Sequence, residues 1–327
     1  MGYSREIYDE AMAIVNANHA KATEECNLRK TAFYEQYPRA AEIETELAAT
    51  AIQTAKAVLN GAHVKEQLTL LKEKNLSLQN ERTQLLRKAG LPETYLEPIF
   101  TCNACKDEGF IDGRMCSCLK KLMRIQACNQ LNASTPLALC TFDNFSLSYY
   151  PNGPSDSGIS AYQQMEQILR YCKAYANQFS MDSPNLLMQG GTGLGKTHLS
   201  LAIAHEAIEK GYGVIYGSAQ NMVTNLEKER FQKDSEQQDT NQLMLQCDLL
   251  IIDDLGTEFS TSFVTAAIYN IVNTRLMTHK PTIISTNLSM KELEKRYTER
   301  FASRILGSYI PLFFRGKDIR QQKRRKK

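Results

Sequence analysis

The stretch that most restricts the fold is a glycine-rich loop between an apolar run and a helical pattern, NLLMQGGTGLGKTHLSLAIA, residues 185–204. The loop reads Gly-x4-Gly-Lys-Thr from Gly190 to Thr197. It follows a predicted strand and opens a predicted helix, which is typical of a P-loop. In a P-loop, backbone N–H groups and the positive end of a helix bind phosphate. The sequence therefore predicts an α/β domain that binds a nucleoside triphosphate.

Each part of this loop has a predicted role. Lys196 is expected to contact the β- and γ-phosphates, and Thr197 is expected to bind Mg²⁺. The other residues predicted to surround the nucleotide are Gly190, Gly191, Thr192, Gly193, Leu194, Gly195 and His198. ATP and Mg²⁺ are therefore the expected cofactors.

From about residue 160 onward, apolar runs alternate with helical patterns. The runs NLLMQ, GVIYGSA, CDLLIIDD and PTIISTN read as four strands. Continuous apolar strands separated by helices specify a parallel sheet covered by helices on both faces. We expect this domain to span residues 161–322.

Two of these strands end in side chains suited to phosphate chemistry. The run LLIIDD brings Asp253 to the expected Mg²⁺ side and places Asp254 where a general base orients the attacking water. Because aspartate is one methylene shorter than the glutamate found there in many P-loop ATPases, we expect slow hydrolysis, to which nearby Glu258 could contribute. Asn287, after PTIIST, is suited to positioning the same water, although such an asparagine is also a common turn residue.

These motifs, followed by RYTERFASRI and FFRGKDIR, come in the order and spacing of an AAA+ ATPase. More closely, residues 140–322 resemble the DnaC/DnaI-type loaders of the replicative helicase, in the clade shared with DnaA. The resemblance implies that Asn287 is sensor 1. It implies that Arg304 is an arginine finger for a neighbouring subunit's nucleotide, with Arg300 as the competing candidate. Arg320 would be the sensor 2 arginine, which contacts the nucleotide of its own subunit.

An arginine finger supplied in trans stabilises the γ-phosphate charge only when another subunit docks. We therefore expect self-association through the AAA+ domain and hydrolysis that depends on assembly. The segment TFDNF before the core also resembles its counterpart in this family, where Phe142 or Phe145 would pack near the nucleotide.

Four of the nine cysteines lie within residues 102–118, which favours a metal site over a disulfide framework. They are Cys102, Cys105, Cys116 and Cys118. The segment between the two pairs reads as a hairpin, and four thiolates suit a structural Zn²⁺ ion. The second pair has one intervening residue instead of two, so Cys128 is an alternative ligand, and free thiols or a redox role also remain open. Residues 99–130 are therefore predicted to form a small zinc-binding unit, which in the DnaI branch docks on the helicase.

Residues 1–98 read as helix with little else, and the resemblance assigns helicase binding to them. Apolar residues recur every seven positions from Val64 to Leu85, but Asn75 and Arg82 interrupt the companion positions. This favours a short antiparallel helical hairpin over a long coiled coil.

The net charge of +3 is too small to indicate nucleic-acid binding by itself. In the resembling family the helical region at about 219–245 contacts DNA. Here its charges are mixed, with Lys228, Arg230 and Lys233 as candidate phosphate contacts. The basic tail, residues 323–327, reads as a solvated disordered segment, with contact to a phosphate backbone as the alternative.

Prolines and glycines predict a linker at residues 131–160. No apolar run approaches the ~18 residues of a membrane span, and the amphipathic N-terminus lacks the features of a signal peptide. The expected location is therefore the cytoplasm, without a membrane partner.

The function that fits these features is ATP-dependent loading of the replicative hexameric DNA helicase onto single-stranded DNA, with ATP binding and hydrolysis switching assembly and release. The nearest alternative is an IstB-like AAA+ ATPase that assists transposition, since it shares the core motifs. A small-molecule P-loop kinase would need a lid and an acceptor site, and would leave Arg304 and the cysteines unexplained. A nucleotide-binding adaptor that barely hydrolyses ATP stays open because of Asp254.

Overall fold

The chain falls into two compact units. The computed structural model describes residues 5–60, 64–132, 140–153, 158–231 and 240–325. One unit is formed by Met12–Leu119 and the other by Met1–Ala11 together with Lys120–Lys327. None of the helices in the described part of the chain combines the length and the apolarity needed to span a bilayer.

Long helices dominate the N-terminal third of the chain. They are α1 (Arg5–Gln36), α2 (Pro38–Asn60) and α3 (Val64–Lys88). Arg39 forms an ion pair with Glu81, and the Asn75 amide donates to the Thr50 hydroxyl at 3.1 Å. Since these pairs join the start of α2 to the later part of α3 and the middle of α2 to the middle of α3, the two helices run antiparallel. The predicted hairpin is confirmed, and the polar Asn75 in its seam has a hydrogen-bond partner.

A two-stranded hairpin follows, as predicted for the segment between the cysteine pairs. Strands β1 (Phe110–Ile111) and β2 (Arg114–Met115) pair antiparallel. The turn residues Asp112 and Gly113 both have positive φ, which is the geometry of the tight turns that match the twist of paired strands. The chain then enters helix α4 (Ser117–Leu131).

The second unit contains a five-stranded parallel sheet. Its strands are β3 (Asn185–Gln189), β4 (Val214–Ser218), β5 (Leu249–Leu255), β6 (Thr282–Thr286) and β7 (Tyr309–Phe313). Their order across the sheet is β4-β5-β6-β3-β7, and every neighbouring pair is parallel. The strand before the phosphate loop therefore lies between the fourth and fifth strands of the domain, and the fold is the predicted AAA+ P-loop fold.

Helices connect these strands. They are α5 (Ala161–Asn177), α6 (Lys196–Glu209), α7 (Ala219–Phe231), α8 (Thr240–Gln246), α9 (Ser262–Met277), α10 (Met290–Arg296), α11 (Glu299–Ser308) and α12 (Ile319–Arg325). The interpretation of residues 323–327 as a disordered tail is wrong for residues 323–325, which belong to α12. Residues 326–327 lie outside the described part of the chain, as do Lys233, the side chain of Arg230, and residues 133–139 and 154–157 of the predicted linker.

Strand β7 was not among the four strands that the sequence predicted. Its residues YIPLF alternate irregularly between buried and exposed positions, and Pro311 interrupts the run. Proline lacks an N–H donor, so it is tolerated only where a strand has an unpaired side. β7 lies at the edge of the sheet and pairs with β3 alone, which satisfies this condition.

At the opposite edge of the sheet, a side chain forms hydrogen bonds with the free side of β4. Asn132, which follows α4 and is 4% exposed, donates from Nδ2 to the Val214 carbonyl at 2.6 Å. Its Oδ1 accepts from the Tyr216 backbone N–H at 3.0 Å. The amide thus satisfies one acceptor and one donor on the free side of β4, as a residue of a neighbouring strand would.

Replacing Asn132 by alanine should destabilise the second unit, because it leaves two backbone groups of β4 without partners. An unsatisfied buried group costs about 1–3 kcal/mol, so we expect a loss of about 2 kcal/mol or more in the free energy of unfolding. Urea unfolding would measure it. The matched control is Asn225→Ala on α7, where the side chain is exposed; equal losses in the two variants would contradict the role assigned to Asn132.

Candidate nucleotide-binding site and cysteine cluster

The phosphate loop connects β3 to α6, and its backbone conformation requires glycine. Gly190, Gly193 and Gly195 have φ of 154°, 69° and 91°, a region that side chains disfavour. A Cβ on Gly193 would also overlap the Asp318 carboxylate, whereas a Cβ on Gly191 would meet nothing closer than 3.8 Å. The Ile319 N–H donates to the Gly193 carbonyl at 3.0 Å. The start of α12 therefore packs directly on the loop.

Lys196 joins the loop to the end of strand β6. Its side chain is 5% exposed, and Nζ donates to the carbonyls of Gly190 and Gly191 at 2.7 and 2.8 Å. The third acceptor is Oδ1 of Asn287. Burial lowers the pKa of Lys196, while the carboxylates of Asp254 and Asp253 act in the opposite direction. The structure thus brings together the residues predicted to contact the γ-phosphate and to serve as sensor 1.

Asp253 is 4% exposed, and its carboxylate accepts three hydroxyl hydrogen bonds. Thr197 Oγ1 and Tyr216 OH donate to Oδ2 at 2.9 and 2.6 Å, and Ser285 Oγ donates to Oδ1. Burial raises the pKa of Tyr216, so its hydroxyl stays protonated and remains a donor. The hydroxyl and carboxylate oxygens of Thr197 and Asp253 are the hard ligands that Mg²⁺ prefers, so the residues fit the ion.

Asp254 has an unusual backbone conformation that a bulge produces. Between Ile252 and Leu255, β5 contains one more residue than the paired segment of β6. Asp254 has φ of 52°, and its N–H donates to the side-chain Oγ of Ser285 on β6, at 2.9 Å, instead of to a backbone carbonyl. Such positive φ in a non-glycine residue is uncommon and is found at functional sites. Burial is the main cause that raises the pKa of Asp254.

Glu258 is committed to other contacts. Its carboxylate accepts from the Gly256 N–H at 2.9 Å and from the Tyr297 hydroxyl, and it lies 3.4 Å from Arg296. It is 2% exposed and does not line the cavity over the phosphate loop. Its contacts fix α10 and the residue after it to the loop that follows β5, so nothing here supports the suggested contribution to hydrolysis.

A cavity of about 270 Å³ lies over the phosphate loop. The predicted site residues that line it are Thr192, Gly193, Leu194, Gly195, Lys196, Thr197, His198, Asp254 and Arg320. The other predicted residues of this site contact Lys196 or Thr197: Gly190, Gly191, Asp253 and Asn287. Lining residues that sequence analysis missed are Cys140, Asn144, Ser146, Tyr149, Ile319 and Lys323. They belong to residues 140–149 and to α12; Asn144 and Ile319 lie within the quoted stretches TFDNF and FFRGKDIR without having been singled out, and no motif contains the other four.

The segment that precedes the domain packs against the phosphate loop. Phe145 lines the cavity and contacts the ring of Tyr150 at 6.1 Å and the ring of His198 at 5.2 Å between centroids. The Tyr150 hydroxyl donates to the Leu194 carbonyl at 2.9 Å. Of the two phenylalanines predicted to lie near the nucleotide, Phe145 lines the cavity, whereas Phe142 packs against the core of the unit.

The predicted arginines occupy different places. Arg320 lines the nucleotide cavity, and Arg300 is exposed on α11. Arg304 lies over the ring of Tyr269, with its guanidinium carbon 5.8 Å from the centroid. It lines a separate cavity, of about 510 Å³, at the amino ends of β3 and β6. Arg304 therefore does not reach the nucleotide cavity of its own chain, and its role as a finger in trans stays a prediction.

Comparison with known proteins finds similar sequences for the domain that contains this site. Residues 163–309 match the family described as IstB-like ATP binding protein. The replicative helicase loader DnaC of Escherichia coli (strain K12) is 26% identical over 213 residues, covering 64% of this chain and 81% of that protein. The resemblance to the DnaC-type AAA+ loaders is confirmed.

Two further similarities are to a curated relative and to a solved structure. The chromosomal replication initiator protein DnaA of Aliarcobacter butzleri is 34% identical over 137 residues, which cover 42% of this chain and 28% of that protein. A crystal structure of the DnaC helicase loader has a TM-score of 0.46 at 20% identity and covers 56% of this chain and all of that chain. The IstB-like match contains Lys196, Asp253 and Arg304, but it ends before Arg320 and begins after the four clustered cysteines.

The four clustered cysteines lie close enough to share one ion. The sulfur atoms of Cys102, Cys105, Cys116 and Cys118 are all within 4.8 Å of one another. Asp107 holds the first turn by accepting from the N–H groups of Thr101 and Cys102 at 2.7 and 2.8 Å. The cluster could therefore bind zinc, for which thiolates are suitable ligands.

Two observations indicate which cysteines would bind zinc: the protonation of Cys116 and the position of Cys128. The backbone N–H of Cys118 is the main cause that lowers the pKa of Cys116, to about 7, which favours its thiolate. Cys128 is fully buried, does not belong to the cluster, and its sulfur lies where a Cβ on Gly213 would contact it at 3.4 Å. Nothing in the structure supports Cys128 as the alternative ligand.

Purified protein should contain one zinc ion per chain, and Cys105→Ser should lose it. Because a four-thiolate site contributes to folding, chelation should also lower the stability of the unit that contains the cluster. Elemental analysis by mass spectrometry gives the stoichiometry. Cys26→Ser is the control, since Cys26 is a buried cysteine whose sulfur donates to the Leu96 carbonyl. Full zinc content in Cys105→Ser would contradict the assignment.

Gly193→Ala should destabilise the protein without nucleotide by about 1–3 kcal/mol, because the new Cβ combines a positive φ with an overlap on Asp318. The matched variant is Gly191→Ala in the same loop, where the Cβ has room and φ is not positive. Urea unfolding measures both. Equal stability of the two variants would show that α12 does not pack on the loop as described.

Proposed function

We propose that the chain is an ATPase that loads a replicative DNA helicase onto single-stranded DNA. In this proposal, ATP binding and hydrolysis switch assembly and release. The observation that carries the proposal is that Lys196 and Thr197, which line one cavity, are hydrogen-bonded to Asn287 and Asp253, within a region similar to proteins named replicative helicase loader. Those names support the role in replication, and the geometry supports the use of ATP.

Lys196 and Asn287 would handle the γ-phosphate together. Lys196 Nζ has three oxygen acceptors in this structure, and phosphate oxygens would replace some of them when ATP binds. Asn287 would then be free to orient the attacking water. Asp254 would accept the proton from that water. It lies within the bulge of β5, where its N–H donates to the Ser285 side chain.

Thr197 and Asp253 would hold Mg²⁺ through their oxygens. When bound, the ion would neutralise charge on the β- and γ-phosphates. Arg320 lies in the same cavity and would add a positive charge to the nucleotide of its own chain. The predicted short reach of Asp254 supports slow basal turnover.

Assembly would complete the site. Arg304 lies outside the cavity of its own chain, as a residue that acts on a neighbour must. Met277, which is 70% exposed and lines the same cavity, would supply apolar contact area between subunits. Self-association would therefore bring the Arg304 charge to the neighbouring nucleotide and bury apolar surface between the subunits.

The helicase would bind the N-terminal helices and the cysteine cluster. Leu28 on α1 and Leu70 on α3 are 66% and 67% exposed, which is apolar surface available to a partner. DNA would contact α7, where Lys228 is exposed. The alternative of a transposition ATPase is less favoured, because the relatives named above are replication proteins.

The test measures ATP turnover with and without single-stranded DNA and the cognate replicative helicase. We expect the helicase or DNA to stimulate wild type, and Lys196→Ala to lower turnover at least about 10²-fold, since a charged contact to the developing charge is lost. The control is Lys173→Ala on α5, an exposed lysine. Turnover that the partners do not change, with no binding to any replicative helicase, would contradict the loader function.

Arg304→Ala tests assembly in the same assay. The substitution should lower the stimulated turnover by about 10³-fold or more and leave nucleotide binding unchanged, because a trans-acting arginine contributes only in the assembled state. Arg300→Ala, one turn earlier on α11, is the matched variant. A silent Arg304→Ala, together with full turnover in a strictly monomeric preparation, would exclude an arginine finger at this position.

A further inference from the structure

Tyr216 is the hydrogen-bond donor to Asp253 that no sequence motif marks. Its hydroxyl lies 2.6 Å from Oδ2 of the carboxylate. In the sheet, Tyr216 is paired with Ile251, and Ser218 is paired with Asp253. The tyrosine side chain is long enough to reach two residues along the neighbouring strand. This contact therefore depends on the register between β4 and β5.

The contact bears on the oxygen that also interacts with Thr197. Oδ2 of Asp253 accepts from both Thr197 and Tyr216, while Oδ1 accepts from Ser285. Without Tyr216, Thr197 would be the sole hydroxyl at Oδ2 among the residues that the structure describes, and Thr197 is itself expected to ligate Mg²⁺. Groups that hydrogen-bond to a metal-binding carboxylate fix its orientation and tune its affinity for the ion. Tyr216 is placed to perform this function.

Tyr216 is itself held from the opposite side. Its backbone N–H donates to Asn132 Oδ1 at 3.0 Å, so the free side of β4 is fixed at this residue. Tyr216 also belongs to the lining of a second cavity, of about 470 Å³, that includes residues of β4 and α7. The residue thus lies between a surface cavity and the Mg²⁺ carboxylate.

We propose that Tyr216 is a positioning residue for the Mg²⁺ site, whose hydroxyl holds the Asp253 carboxylate in the orientation that binds the ion. This inference rests on the proposed ATPase function, and it concerns the affinity of the nucleotide complex for Mg²⁺. A purely structural role for the same hydroxyl has a different consequence. It would change stability through the loss of one buried hydrogen bond and leave the Mg²⁺ requirement as it is.

The test uses the full-length Tyr216→Phe protein, which lacks only the hydroxyl. Nucleotide-dependent thermal stabilisation with a non-hydrolysable ATP analogue is recorded over a series of Mg²⁺ concentrations. We expect the Mg²⁺ concentration at half-maximal stabilisation to rise about tenfold. Binding of the analogue in excess EDTA should match that of wild type.

A second measurement reads the ion directly. Mn²⁺ binding to the protein with the analogue, followed by electron paramagnetic resonance, should weaken in Tyr216→Phe by the same factor. The matched control is Tyr212→Phe, because the Tyr212 hydroxyl donates to the Phe179 carbonyl at 3.2 Å and makes no contact with Asp253. The control should keep the wild-type Mg²⁺ and Mn²⁺ midpoints.

Unchanged midpoints in Tyr216→Phe, in a wild-type background that shows the expected Mg²⁺ dependence, would overturn this inference and leave the proposed function standing. Equal shifts in Tyr216→Phe and Tyr212→Phe would also overturn it, since they would report a general loss of stability. A wild-type chain that binds no nucleotide at any Mg²⁺ concentration would instead overturn the proposed function, and this inference with it.

Discussion

A buried carboxylate needs hydrogen-bond donors in place of water. The arrangement of the nucleotide site depends on how the chain supplies such donors to Asp253. The donors come from three different elements: Thr197 from α6, Tyr216 from β4 and Ser285 from β6. Burying a charge without such partners would cost far more than one hydrogen bond provides. The sheet order that places β4, β5 and β6 side by side is therefore what makes a buried carboxylate possible at this point. The phosphate loop then joins the same network through Thr197.

The parts of the structure that could be predicted are those that depend on local sequence. The glycines of the phosphate loop and the apolar runs before Asp253 and Asn287 each have a pattern with a physical cause, and the fold class follows from their alternation. The close approach of the four cysteine sulfurs likewise follows from two short turns joined by a hairpin. Each of these features needs only a few neighbouring residues to specify it.

The parts that could not be predicted depend on contacts between distant segments. Tyr216 reads as an ordinary strand residue in GVIYGSA, and only the register with β5 brings its hydroxyl to Asp253. Strand β7 was not predicted because Pro311 interrupts its sequence and its buried and exposed residues do not alternate regularly. Lys323 read as part of a basic tail, yet it lines the nucleotide cavity from α12, with Nζ 5.4 Å from the ring centroid of Tyr149. In each case the missing information is the position of another element.

The amide of Asn132 has a consequence for the mechanics of the second unit. It follows α4 directly, and its two hydrogen bonds join the end of that helix to the strand that carries Tyr216. A force that shifts the end of α4 must therefore either drag β4 along or break both bonds. Coupling at equilibrium is reciprocal. A change in the position of β4 therefore affects the end of α4 by the same free energy with which a change at the end of α4 affects β4. The Asn132 amide acts beside a second link, the ion pair of Arg124 on α4 with Asp248, whose other oxygen accepts from the Gly213 N–H just before β4.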